Sequence, residues 1–327
     1  MAETNITGPL WGYEQRSRRL AGLWPTSFYV ALTGTQKAIF GYGYGNPPLS
    51  MTNLVSNTGV VATDTAGVGT ARYGPAAAGY GSSGQAIFGY GSTGSNTAIT
   101  NLVSNTGVVG NDVTGVGTAR WGLAAAGYGT DKAIFGYGYS STTVSMTNKV
   151  SNTGVVSSDT TGVGTGRYEL AAAGYGSTGQ AIFGYGEGPP GTYQSITNLV
   201  SNTGVVATNT AGVGTARQGL AAAGYGGDKA IFGYGEGPNG TFNSITTKVS
   251  NTGVVSSDTA GVGTPRTQLA AAGYGGDKAI FGYGINPSGV GVTAITNLVS
   301  NTGVVSSDTA GVGTARSTLA AAGYSLT

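Results

Sequence analysis

The chain has 327 residues, 62 of them glycine, with 9% charged side chains and a formal net charge of +2. Glycine is usually about 7% of a protein; the excess here comes with only 10 prolines and no G-X-Y period, which points to many tight turns and away from collagen or a disordered linker. Cysteine and histidine are absent, which excludes disulfides, cysteine–histidine zinc sites and Ser-His-Asp or Cys-His catalysis.

Residues 1–36 differ in character from the rest. They open on the polar run Met-Ala-Glu-Thr-Asn, which lacks an export-signal pattern. They also concentrate Trp11, Tyr13, Arg16, Arg18, Arg19 and Trp24. Trp, Tyr and Arg are enriched at binding hot spots, so this segment is expected to be a partner-anchoring arm.

From residue 37 the chain repeats. AIFGYG begins at Ala38, Ala86, Ala133, Ala181, Ala230 and Ala279, and SNTGVV at Ser56, Ser104, Ser151, Ser201, Ser250 and Ser300. AAAGY ends at Tyr80, Tyr128, Tyr175, Tyr225, Tyr274 and Tyr324, and like landmarks lie 47 to 50 residues apart. AAAGY and AIFGYG, joined by short turns such as Thr130-Asp131, predict a hairpin. ITNLVSNTGVV, rich in β-branched residues, predicts a longer strand, and GVGTAR is expected to close the unit as its fourth. No segment shows capped helical periodicity. Four antiparallel strands repeating at this interval predict an all-β, six-bladed β-propeller over residues 37–327, with AAAG innermost where the blades crowd the axis. The final AAAGY has no AIFGYG after it, so it is expected to pair with residues 38–43 and close the ring. Residues 28–32 compete for that place but lack the repeat sequence.

GTARWGLAAAGYGTDKAIFGYG at 117–138 resembles the kelch repeat: an arginine, a small apolar strand, a short turn, then an apolar-aromatic strand ending in glycines. GVGT stands where the kelch tryptophan would be. The AIFGYG/SNTGVV array also resembles glycine-rich, kelch-like propeller proteins of tailed bacteriophages. That resemblance implies a virion-surface component (tail, fibre or capsid-attached), held to other virion proteins by its N-terminal arm.

The loops between AIFGYG and the ITNLV strand differ most between units. Variation on one face of a uniform ring suits a recognition surface. Tyr44, Tyr139, Glu187, Tyr193, Glu236, Phe242 and Asn286 are its candidate ligand-binding residues, for a host cell-surface glycan or protein. Arg72, Arg120, Arg167, Arg217, Arg266 and Arg316 recur in every unit. In five units an aspartate precedes the arginine by eight positions (Asp64, Asp112, Asp159, Asp258, Asp308), and Asn209 stands in the fourth. Such recurrence points to a structural cation paired with a carboxylate or backbone carbonyls, the rival being an anion-binding ring. The GYG tyrosines are expected to fill space in the core rather than form a sugar-binding ladder.

Candidate acids and bases recur in nearly every unit, whereas one active site needs asymmetry; a non-enzymatic protein without cofactor or metal is expected. The Asp and Asn of SNTG and SSDT are too dispersed for calcium. No basic stripe suggests nucleic acid, and no 18-residue apolar run suggests membrane insertion. The alternative to a virion part is a free extracellular lectin, gaining avidity from six similar units.

Overall fold

The computed structural model describes residues 36–189, 191–287 and 291–325. The expectations for Trp11, Tyr13, Arg16, Arg18, Arg19, Trp24 and for segment 28–32 therefore lie outside the described residues. Each AAAGY segment pairs antiparallel with an AIFG segment through a tight turn. Ala76–Tyr80 meets Gln85–Gly89 with Ala76 opposite Gly89 and Tyr80 opposite Gln85, and the pattern recurs at Ala124–Tyr128, Ala171–Tyr175, Ala221–Tyr225 and Ala270–Tyr274. The last such strand, Ala320–Tyr324, pairs with the first AIFGYG strand, Lys37–Tyr44, at the opposite end of the sequence. A third strand, such as Thr100–Val103, adds to the far edge of each AIFG strand.

GVGTAR is not the fourth strand. That position belongs to the residues after SNTG: Val255–Thr259 pairs with Thr246–Val249, and the equivalent segments elsewhere form isolated bridges such as Val55 with Val61 and Thr52 with Thr65. The reason lies in SNTG. Gly59 takes φ 86°, and the Ser56 hydroxyl accepts the Thr58 and Val60 N–H groups, a local side-chain turn that folds ITNLVSNTGVV back on itself. GVGTAR is left to cross from one sheet to the next.

Inner strands alternate buried and half-buried positions, while the AIF triplets are buried on both sides. Both faces of every AIFG strand are covered because neighbouring sheets pack face to face. Ala76, Ala78, Tyr80 and Ile87 of one sheet, for example, enclose a core with Leu123, Ala133, Phe135 and Val150 of the next. The inner strands touch in sequence order, and Ala320–Tyr324 lies against both Ala270–Tyr274 and Ala76–Tyr80. They approach at glycine. A Cβ on Gly79 would stand 2.9 Å from the carbonyl oxygen of Gly323, and each later glycine (Gly127, Gly174, Gly224, Gly273, Gly323) meets the carbonyl of the one before it. Two methyl-bearing residues cannot share that gap.

Candidate functional site

The six arginines are fully buried at the seams between sheets. Arg120 donates through Nε to the Tyr137 carbonyl at 2.8 Å, through one terminal nitrogen to the Thr118 carbonyl at 2.9 Å, and through the other to Asn148 Oδ1 at 2.6 Å. Its guanidinium lies 4.4 Å from the centre of the Tyr90 ring. Asn148 in turn donates to Asp159, whose carboxylate also accepts the N–H and hydroxyl of Thr118. The arginine thus addresses the aspartate of the following unit, 3.9 Å away, not the one eight residues before it. Thr314 reaches Asp64 in the same way, joining the last unit to the first. Burial would raise the Asp64 carboxyl, but hydrogen bonds from Thr314 and Asn53 and the Arg316 charge outweigh it and hold the group below its ordinary value. The second GYG tyrosines, Tyr42 through Tyr283, are wholly buried under these arginines, with hydroxyls donating to GVGT-segment carbonyls such as Val116 at 2.9 Å. A buried ring presents no face to a sugar.

The end of the molecule carrying the variable loops is uneven. Tyr44, Tyr73, Trp121, Tyr139 and Tyr168 form a continuous aromatic strip, with successive ring centres 5.4 to 6.3 Å apart. Acids flank it. Tyr168 donates to Glu187 at 2.9 Å, and Tyr193 donates to Glu236 at 3.0 Å while accepting from Gln218. Burial first, then the bond to Glu236, pushes the Tyr193 phenol up to about 12; the same two causes, with Glu187 as acceptor, push Tyr168 well up.

Inside the strip lies a cyclic series of backbone bonds. Gly122 N–H donates to Gly74, Glu169 to Gly122, Gly219 to Glu169, Gln268 to Gly219, Thr318 to Gln268 and Gly74 to Thr318, all at 2.6 to 3.0 Å. All six residues hold φ between 47° and 62°, the left-handed region that favours glycine. Three are not glycine. Glu169 accepts from Gln268 Nε2 at 3.0 Å, and Thr318 has a buried hydroxyl with no hydrogen-bond partner. Burial chiefly, reinforced by the charges of Glu187 and Glu236 and opposed by the Gln268 bond, pushes the Glu169 carboxyl up to about 7. These residues, Trp121 and the apolar ring of Pro75, Leu123, Leu170, Leu220, Leu269 and Leu319 line a cavity of about 70 Å³. A second cavity beside it is lined by Trp121, Tyr139, Tyr168 and Glu187.

No family model matches the sequence, and no curated protein matches it. Among solved structures, the structure of YjhT aligns with a TM-score of 0.58 at 11% identity, over 77% of this chain and 88% of YjhT. The fold is that of a β-propeller. At that identity the likeness speaks of fold alone.

The propeller brings Tyr44 and Tyr139 into one strip and sets Glu187 against its end. Tyr193 and Glu236 form a separate bonded pair. Phe242 stands opposite Glu236 in a two-residue ladder, and Asn286 lies in the sixth loop, where its N–H donates to Gly291. Sequence reasoning missed Tyr73, Trp121, Tyr168, Glu169, Gln268 and Thr318. It also expected little asymmetry at the axis, and Glu169 corrects that. The signal was present two residues after each arginine, where Gly74, Gly122 and Gly219 hold the place that Glu169, Gln268 and Thr318 hold in the other three units. Among the described residues no group of three or more His, Cys, Asp or Glu side chains is placed to hold a metal ion, and no helix is long and apolar enough to cross a membrane.

Proposed function

We propose that this chain is a closed, six-bladed, kelch-like propeller that binds rather than catalyses. It serves as a virion-surface component, presenting its variable-loop face to a host cell-surface glycan. Closure is supported by the pairing of Ala320–Tyr324 with Lys37–Tyr44 and by the Thr314–Asp64 seam. The observation that carries the binding role is the strip from Tyr44 to Tyr168. Aromatic faces flanked by a few acids and hydroxyls suit a polar ligand with apolar ring faces, and sugars have both. The virion role rests on the resemblance to tailed-phage propellers, with residues 1–36 as the anchor.

A glycan array probed with the full chain and with Trp121→Ala tests the binding role. The wild type should bind a defined glycan set and the variant should lose it at an unchanged melting temperature. No binding at high protein concentration sinks the glycan reading. For the virion role, a chain lacking residues 1–36 should fail to join particles; normal incorporation overturns the anchor, and protein found only free in the medium favours the lectin alternative.

A further inference from the structure

The axial cavity holds a feature that neither the repeat nor the seams require. Three of the six ring positions are glycine, so the backbone cycle closes without a side chain there. Glu169 nevertheless projects a carboxyl from a left-handed backbone at φ 49°, a conformation that disfavours any residue with a Cβ. Among the described residues its charge has no counter-ion: no ion pair involves Glu169, Glu187 or Glu236. Lys132, Lys229 and Lys278 lie in the hairpin turns at the other end of the inner strands, paired with their own aspartates. The six arginines are committed to the seams.

We propose that the axial cavity binds the ammonium group of an amine-bearing saccharide, with Glu169 as counter-ion and Trp121 as aromatic wall. This rests on the glycan-binding reading above and names the class of ligand. An ammonium group supplies the positive charge that three carboxylates at this end lack, and its N–H donors suit Glu169 and the unpartnered Thr318 hydroxyl. Trp121 lines both the axial cavity and its neighbour, so an aromatic ring stands within reach of a cation bound there. At about 70 Å³ the axial cavity has the volume of a few waters, room for a charged head group, while the sugar rings extend over Tyr139 and Tyr168. An anionic ligand would meet Glu169, Glu187 and Glu236 unscreened, and a neutral one would leave the Glu169 charge uncompensated.

Calorimetric titration of the full chain at pH 7.5 with a glucosamine trisaccharide, its N-acetylated counterpart and trilysine provides the test. The free-amine sugar should bind about tenfold tighter than the acetylated one, the scale of one hydrogen bond to a charged group. Glu169→Gln should erase that preference. Glu169→Gly should erase it too, and carries little folding risk because glycine occupies the equivalent place in three units. Equal binding of the two sugars by the wild type, or a preference that survives both variants, overturns the ammonium site while leaving the glycan-binding reading intact. Binding of trilysine with no response to either sugar overturns the saccharide assignment. Silence of all three ligands overturns the site and counts against the reading beneath it.

Discussion

At the scale of single residues, the buried arginine is the costliest group to remove. Arg120 satisfies two carbonyls and an asparagine oxygen, and its bonds to the Tyr137 carbonyl and Asn148 are buried, so losing the guanidinium leaves those acceptors without a partner. Replacing Arg120 with Leu should destabilise the protein by about 3–5 kcal/mol, read as a fall in the urea midpoint. Glu169 acts in the opposite sense. The folded protein keeps its proton up to about 7, whereas the ordinary value is 4.5. Between those limits the native state binds more protons than the unfolded chain, so this group makes stability fall as pH climbs from about 4.5 to about 7. Glu169→Gln should remove that decline, giving a higher urea midpoint than wild type at pH 8 and little difference at pH 4.

At the scale of elements, hairpins are set locally and seams are set between neighbours. The inner strands bring glycine against backbone, and Gly79→Ala would put a methyl 2.9 Å from a backbone oxygen. A loss of about 1–3 kcal/mol is expected, measured by thermal or urea unfolding. The Thr–Asp latches add a pH dependence of the usual carboxylate sign. Hydrogen bonds hold Asp64, Asp112, Asp159, Asp258 and Asp308 below 3.8 against the effect of burial. Their contribution is complete above the ordinary value and is lost as pH falls through the depressed ones. At the uncharged fourth seam the Thr165 N–H donates to Asn209 Oδ1, and Asn209 Nδ2 donates to the Thr165 hydroxyl. Asp64→Asn should therefore lower stability at pH 7 and narrow the gap between urea midpoints at pH 7 and pH 3.

At the scale of the molecule, the proposed ring joins residues from opposite ends of the sequence. Ala320–Tyr324 covers the edge of Lys37–Tyr44, and Arg316 bonds to Tyr42 and Asn53. Removing residues 319–327 would expose that edge and leave the facing cores of two sheets uncovered. The truncated chain should lose its single cooperative transition and elute as aggregate in size-exclusion chromatography. A monomer with an unchanged melting curve would argue against closure as a source of stability. The aromatic strip and the axial carboxyl also exist only at this scale, since Tyr44 and Tyr73, then Trp121, then Tyr168 and Glu169 come from three successive units.

The inner hairpin was legible from the residues, because AAAGY and AIFG lie a few positions apart and a short turn leaves one register that buries Ile87 and Phe88; the fourth strand was not, since GVGTAR was expected there. The terminal pairing was legible too, because a leftover half-hairpin at each end of the repeat needs a partner. The SNTG reversal was carried by local residues, Ser56 bonding within its own turn, although ITNLVSNTGVV reads as one long strand. Tertiary structure alone decided two things. Five arginines face the aspartate across the seam and Arg167 faces Asn209 through Asn198, because a chain crossing between sheets delivers its side chain forward and not back along its own unit. Glu169 and Gln268 stand 99 residues apart along the chain, and Thr318 lies 50 beyond Gln268. They share one cavity because the sheets wind about a common axis, and no local signal carries that distance.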